Sequence, residues 1–199
     1  MSAITRRFLL LASAGPALLA ACSSSPNPTL YTIAPVPGTP RPLSAQGGGP
    51  RIIVLREVSL ARYLERPQIV RSSASYQLVV ELNDWWGEPL TAMLGRVLIE
   101  NLSQRLPGSV VLSELGAIGN KPDATVEVNV LRLDADPDGT VVLRAQMGLT
   151  LASARQSPTA QTIALKATPP SAGVPGEVAA ISDTLGQLAD RIAAILPGG

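Results

Sequence analysis

Two stretches of the chain carry apolar residues at helical spacing. The first stripe is Leu90, Leu94, Val97, Leu98 and Leu102. The second stripe is Val178, Ile181, Leu185, Leu188, Ile192 and Ile195. Spacings of three and four place each set on one helix face. Glu88-Pro89 favours a helix start before the first stripe, and Pro107 and Pro197 are expected to end the two helices. The pattern therefore predicts two amphipathic helices with buried apolar faces.

β-Branched and alternating residues predict strands before and between these helices. The predicted strands cover residues 30–33, 51–55, 69–72, 76–81, 110–112, 124–133, 140–151 and 162–166. Residues 73–75 and 136–139 are typical of hairpin turns, Asn83-Asp84 of another turn, and residues 59–63 of one helical turn. This order predicts an α+β fold with a single, mostly antiparallel sheet and two main helices packed on one face.

The N-terminus has the pattern of a secretory signal. Arg6-Arg7 is followed by an apolar run over residues 8–21 that is too short to span a bilayer as a helix. The run ends in Leu19-Ala20-Ala21-Cys22, which is typical of a lipobox. We therefore expect cleavage of a signal peptide of residues 1–21 and lipidation of Cys22, with a diacylglycerol on its thiol and a further acyl chain, such as palmitate, on its new amino group. The alternative is a signal peptide with an incidental cysteine.

The route of export and the destination depend on short motifs. Arg6-Arg7 fits both a loose twin-arginine pattern and an ordinary basic signal region, and both remain open. Residues 23–25 are serines without an acidic residue, which favours the periplasmic face of the outer membrane over the inner membrane. More than one acyl chain gives a stable anchor.

Composition divides the rest of the chain into two parts. Residues 22–50 are predicted to form a lipidated tether with a short strand near 30–33 and a linker rich in proline and glycine. Residues 51–197 are predicted to form the folded domain. No second long apolar stretch follows Cys22, so the mature protein is expected to sit on a membrane without crossing it.

The residue inventory excludes several kinds of chemistry. The chain has no histidine, one cysteine and a net charge of +1. Ordinary zinc and haem sites, Cys–His catalysis and a Ser–His–Asp triad are therefore not expected, and no cofactor, metal or nucleic-acid partner is predicted. Two carboxylate sets remain. They are Glu81, Asp84 and Glu88, and Asp134, Asp136 and Asp138.

Both carboxylate sets fit structural roles better than catalytic ones. The first flanks a turn and a helix start, where carboxylates cap free N–H groups, and the second lies in a hairpin turn. Residues 134–139 resemble the opening of a calcium loop, but Ala145 stands where that loop needs a glutamate. The sequence therefore predicts a protein that is not an enzyme.

Aromatic and arginine residues near two prolines are candidates for a partner surface. Tyr63, Arg66 and Trp86 are predicted to contribute to it, since such side chains dominate binding hot spots. The partner would be another protein or a second copy of this chain. The alternative is a folding role, with Trp85 packing over the sheet end and Glu88 capping the helix. Because neighbouring residues of an extended chain face opposite ways, Trp86 is expected to face outward when Trp85 packs inward.

The same segments carry a resemblance to a known family. The quoted runs are Leu30-Tyr31-Thr32-Ile33, Tyr63-Leu64-Glu65-Arg66-Pro67-Gln68-Ile69-Val70-Arg71, Trp86-Gly87-Glu88-Pro89-Leu90, Val97-Leu98-Ile99-Glu100-Asn101-Leu102 and Val178-Ala179-Ala180-Ile181-Ser182. Together they are similar to the ABC-type transport auxiliary lipoprotein family. The tandem tryptophan and the glycines at 47–49 depart from its pattern.

The resemblance implies a function. It implies a non-enzymatic, periplasm-facing lipoprotein that works with an ABC permease and ATPase and with a periplasmic protein of the mammalian-cell-entry type. Such systems move lipids between membranes and support membrane integrity. The alternative is a structural outer-membrane lipoprotein that assists assembly of an envelope protein or contacts the cell wall. A periplasmic hydrolase is the third and least favoured alternative.

Overall fold

The computed structural model describes residues 27–41, 50–74, 76–116, 119, 121–153 and 159–197. The predictions for the signal peptide and for Cys22 lie outside the described residues, as does the part of the predicted linker at 42–49. The strands are β1 Thr29–Tyr31, β2 Ile52–Leu55, β3 Ser59–Leu60, β4 Gln68–Ala74, β5 Gln77–Trp86, β6 Val110–Ser113, β7 Ala124–Ala135, β8 Val141–Leu151 and β9 Thr159–Ala167. The helices are α1 Leu90–Arg105 and α2 Val174–Ile195, with a short 3-10 helix at Arg62–Leu64.

The larger sheet is six-stranded and mixed. Its order is β6-β2-β7-β8-β9, and β3 also pairs with β7. β2 runs parallel to both β6 and β7, whereas β7, β8 and β9 are antiparallel neighbours. The Asp136–Gly139 turn joins β7 to β8 as predicted, and Gly139 there has a φ of 87°, in the left-handed region that glycine accepts without strain.

A second, three-stranded sheet has the order β1-β5-β4. The predicted hairpin of β4 and β5 is confirmed, but the prediction of a single sheet is wrong. β1 pairs in parallel with the end of β5, so that Tyr31 lies opposite Trp86. This pairing keeps β5 extended through Asn83-Asp84, and the predicted turn there is therefore also wrong. The fold class is α+β, as predicted, but with two mixed sheets.

The two helices bury the stripes that the sequence defines. Leu94, Val97 and Leu98 of α1 are almost fully buried, as are Leu185, Leu188 and Ile192 of α2. α2 contacts β7, β8 and β9 of the larger sheet, and the two helices contact each other. The ends at Arg105 and Ile195 come just before the prolines that were expected to stop the helices. No helix among the described residues is both long and apolar enough to cross a membrane.

Residues 33–41, which we call the N-terminal strap, lie across the two helices. As the prolines predict, the strap has no regular structure beyond Tyr31. Its backbone N–H groups nevertheless bond to helix side chains: Val36 donates to Asn101 Oδ1 at 2.8 Å, and Ala34 donates to Ser182 Oγ at 3.2 Å. Ile33 is fully buried in the core. This part of the predicted linker therefore packs as part of the folded body.

Candidate partner-binding groove

Hydrogen bonds across the β4–β5 hairpin bring the two aromatic and arginine segments together. The backbone N–H of Trp86 donates to the carbonyl of Pro67 at 2.7 Å. The neighbouring N–H of Gly87 donates to the carbonyl of Tyr31 at 2.8 Å, which ties β1 to the same point. α1 then begins at Leu90, with Pro89 at its N-cap position. Residues that are about twenty positions apart in sequence thus meet at the helix start.

A groove of about 410 Å³ lies where these segments meet. It is lined by Leu60, Glu65, Arg66, Pro67, Trp86, Glu88, Pro89, Leu90 and Thr91. Apolar side chains supply most of the lining, and two carboxylates and one guanidinium add charge. Glu88 pairs with Arg96, which lies eight residues further along on α1, so its charge is already partly balanced. The groove can accept an apolar side chain and offers Arg66 to an acidic or hydrogen-bonding group.

The two tryptophans are placed the other way round from the prediction. Trp86 is only 7% exposed and belongs to the core, whereas Trp85 is partly exposed. The reason is the pairing with β1: Trp86 lies opposite the half-buried Tyr31, and Trp85 lies opposite the exposed Leu30. The expectation that Trp86 faces outward is therefore wrong, although one part of it lines the groove. Glu88 makes no capping bond, because the N-cap position is Pro89.

Tyr63 is not part of the groove lining. Its hydroxyl donates to Asp134 Oδ2 at 2.7 Å, and the ring is half-buried. Burial raises the pKa of the Tyr63 phenol well above its ordinary value, and the hydrogen bond to Asp134 raises it further. The structure thus brings Arg66 and Trp86 together and turns Tyr63 toward a separate polar cluster.

That cluster is centred on the buried carboxylate of Asp134. Ser72 Oγ donates to Asp134 Oδ1 at 2.9 Å, and Arg132 donates to the same oxygen through Nη2 at 2.7 Å. Arg132 also pairs with Asp136, and the two carboxylates raise the pKa of its guanidinium. The cluster joins the 3-10 helix, β4 and β7, so it links the two sheets. Its groups are paired with one another, which fits a structural role.

Two of the remaining predicted carboxylates, Asp138 and Glu81, also have partners within the protein. Asp138 Oδ1 accepts from the backbone N–H of Thr140 at 2.9 Å, which holds the hairpin turn. Glu81 lies 3.4 Å from Arg71 Nη1. Among the described residues, the structure contains no group of three or more histidine, cysteine, aspartate or glutamate side chains arranged to hold a metal ion.

Sequence reasoning missed two residues of the groove. Leu60 ends β3, which pairs with β7, and Thr91 is the second residue of α1. Thr91 follows Leu90 of the apolar stripe, and helical spacing alone therefore predicts that its side chain faces solvent. The alternation of Val58 and Leu60 was the available signal for a short strand at the groove.

The fold and the groove together describe an α+β protein with a mostly apolar groove on its surface. The particular family follows from the sequence. A family model described as the ABC-type transport auxiliary lipoprotein component matches residues 31–193, and the chain belongs to that family. The resemblance drawn from the quoted motifs is thereby confirmed. This family is one of transport auxiliary lipoproteins and is not an enzyme class.

Two named relatives agree with this assignment. The chain is 30% identical over 129 residues to the "Intermembrane transport lipoprotein PqiC" of Escherichia coli K12 and equally to that of Shigella flexneri. Each match covers 64% of this chain and 66% of the relative, just under two thirds of its length.

Two crystal structures share the fold. One, of an uncharacterised protein, has a TM-score of 0.70 at 22% identity and covers 85% of this chain and 98% of its own. The other, of a protein from Xanthomonas campestris, has a TM-score of 0.62 at 20% identity and covers 83% of this chain and 92% of its own.

Proposed function

We propose that this chain is a non-enzymatic, lipid-anchored component of an ABC-type envelope lipid transporter. The family assignment supports a transport auxiliary role, and the relatives named intermembrane transport lipoprotein support transport between two membranes. The partners would be an ABC permease with its ATPase and a periplasmic protein of the mammalian-cell-entry type. The role would be to join this assembly to the membrane that holds the lipoprotein and so to support membrane integrity.

The observation that carries the proposal is the groove at the start of α1. Its apolar lining, with Arg66 at its edge and the fixed ring of Trp86 inside, is the make-up of a binding hot spot. A partner would insert an apolar side chain between Leu60 and Leu90 and place an acidic or carbonyl group beside Arg66. Because the groove is formed by a strand end and a helix start, it needs no rearrangement to bind.

The anchor would be the acylated Cys22 after removal of residues 1–21. The lipobox sequence supports this assignment, and the serines at 23–25 support the periplasmic face of the outer membrane. Substitution Cys22→Ala should move the protein from the membrane fraction to the soluble periplasmic fraction and abolish incorporation of labelled palmitate. Label retained in the variant would show that the anchor is elsewhere.

The groove is tested by filling it. Thr91→Trp places a large ring over the groove from a half-buried position on α1, and Gln104→Trp adds the same ring at an exposed position of the same helix. Each full-length chain is purified from bacterial envelopes, and the recovery of the mammalian-cell-entry-type protein and the permease is measured. We expect Thr91→Trp to lose these proteins and Gln104→Trp to keep them.

Charge reversal gives a second, independent pair of variants. Arg66→Glu changes the charge at the groove, whereas Arg62→Glu makes the same change four residues earlier, outside the groove lining. Thermal unfolding is recorded on the same samples. Equal recovery of the transporter proteins with all four variants would contradict the groove as the binding site. Recovery of cell-wall or outer-membrane assembly proteins alone would favour the structural lipoprotein instead.

A further inference from the structure

Exposed apolar side chains collect where the chain enters the fold. Leu30 of β1 is 63% exposed and lies opposite Trp85 in the parallel pair of β1 and β5. The indole N–H of Trp85 donates to the carbonyl of Leu82 at 2.9 Å, and the Leu82 side chain is 79% exposed. The backbones of these three residues are therefore adjacent at this end of the three-stranded sheet. We call them the entry patch.

Two further exposed apolar or aromatic side chains lie toward the hairpin end of β5. Leu78 is 49% exposed, and Tyr76, in the turn just before β5, is fully exposed with a φ of 82°. None of these five side chains is charged. Large exposed apolar groups grouped in this way normally mark a surface that another phase or molecule covers.

The length of the tether indicates what covers the patch. Cys22 precedes Thr29 by only seven residues, and seven extended residues span at most about 25 Å. The lipid on Cys22 would sit at the boundary between headgroups and acyl chains. Since Leu30 directly follows Thr29, the entry patch is the part of the fold that the anchor holds nearest to the bilayer. This step rests on the proposed acylation of Cys22.

We propose that the entry patch contacts the headgroup region of the membrane that carries the Cys22 anchor. Trp85 and Tyr76 each have an apolar ring and a polar edge, and such side chains favour the interface between water and lipid. Leu30 and Leu82 enter the interface beside them. The contact adds a second attachment point to the acyl chains and fixes which side of the fold faces the membrane.

Tryptophan fluorescence tests this orientation. The acylated full-length lipoprotein is reconstituted into phosphatidylcholine vesicles with and without brominated acyl chains, which quench an indole that approaches the lipid. We expect quenching in the wild type and its loss in Trp85→Phe, because the remaining Trp86 is buried. Leu30→Gln with Leu82→Gln should also lose most of the quenching.

The matched control is Val110→Gln. The exposed fraction of Val110, 57%, is similar to that of Leu30. Val110 follows α1, whose 16 residues are about 24 Å long, and so it lies away from the patch. This variant should quench like the wild type. Equal quenching in the wild type and Trp85→Phe, or an equal loss in Val110→Gln, overturns the proposal. Absence of quenching together with self-association that Leu82→Gln abolishes would assign the patch to a second copy and likewise overturn it.

Failure of the acylation itself is recognised separately. Mass spectrometry of the purified protein shows whether Cys22 carries lipid. If it does not, the anchoring proposal fails, and the patch is then tested by coupling Cys22, the only cysteine of the chain, to a maleimide lipid in the same vesicles. Quenching of Trp85 after this coupling supports the patch, and its absence overturns it.

Discussion

Replacing Arg105 by alanine should release the N-terminal strap from the helices. Arg105 is the last residue of α1 and is only 2% exposed. Its guanidinium donates to the carbonyl of Val36 at 3.1 Å and pairs with Asp190 of α2. Gly38 packs so tightly against it that a Cβ there would lie 2.2 Å from Arg105 Cζ. One side chain thus joins the strap to both helices.

The size of the effect follows from what each partner loses. The carbonyl of the half-buried Val36 would be left without its donor, and an orphaned acceptor costs up to about 1–3 kcal/mol where water cannot replace the donor. The Asn101 carbonyl, which also accepts from Arg105, lies one helical turn earlier and is served as well by the helix backbone. Asp190 is 56% exposed, so its share is about 0–1 kcal/mol. With the void left by the stem, we expect a loss of about 2–4 kcal/mol.

Urea unfolding of Arg105→Ala and Arg96→Ala measures this difference. Arg96 lies on the same helix and also makes one ion pair, but both partners are largely exposed, so its removal should cost less than about 1 kcal/mol. Native-state hydrogen exchange adds local information. The Val36 amide, which donates to Asn101, should exchange faster in Arg105→Ala. The exchange rates of amides in β8 should change only by the amount that the global stability changes.

Two results would refute the reasoning about Arg105. Equal losses of stability in the two variants would show that burial of the Arg105 guanidinium contributes nothing beyond a surface ion pair. Unchanged protection of the Val36 amide would show that Asn101, Ser182 and the burial of Ile33 hold the strap without Arg105.

Three further predictions concern α2. Leu188→Ala should lower the free energy of unfolding by about 2–5 kcal/mol, because the side chain is fully buried, and an unchanged melting temperature would contradict the burial of the stripe. Gly176→Ala should cost about 2 kcal/mol or more, because its Cβ would lie 1.9 Å from the Ser171 carbonyl oxygen, and wild-type stability would refute that contact. Burial raises the pKa of the Glu177 carboxyl above its ordinary 4.5, although Arg71 acts in the opposite direction. The folded protein therefore binds the carboxyl proton more tightly than the unfolded chain does. The stability that this proton contributes is fully present below pH 4.5 and is lost as the pH rises through the raised pKa. Unfolding of Glu177→Gln should depend less on pH across this window, and identical pH profiles would show that Glu177 titrates normally.

Periodic burial made the helices and the antiparallel strands predictable. The stripes of α1 and α2 and the hairpin of β7 and β8 are set by local spacing and by turn residues, which the sequence displays directly. The second sheet depends instead on β1, only three residues long, pairing with residues more than fifty positions later. No local pattern encodes such a parallel pair, and the number of sheets was therefore missed.

The orientation of the tryptophans has the same origin. Neighbouring residues of a strand face opposite ways, so sequence showed that Trp85 and Trp86 must differ but not which one is buried. That choice is made by the pairing of Tyr31 with Trp86. The burial of Arg105 was also invisible, because a basic residue in the last turn of a helix is normally a solvent-exposed partner of the helix dipole.

The way the strap enters the fold has a mechanical consequence. A pull on the anchor would reach the fold first at β1, whose parallel pairing with β5 sets its hydrogen bonds across the direction of the pull. Bonds loaded in this way share the force and must break together rather than one after another. Behind β1, the buried Ile33 and the bonds from the strap to Asn101 and Ser182 carry the remaining load into both helices. The chain would thus be joined to the proposed Cys22 anchor through a shear-loaded element, and tension on that anchor would not readily peel the fold open.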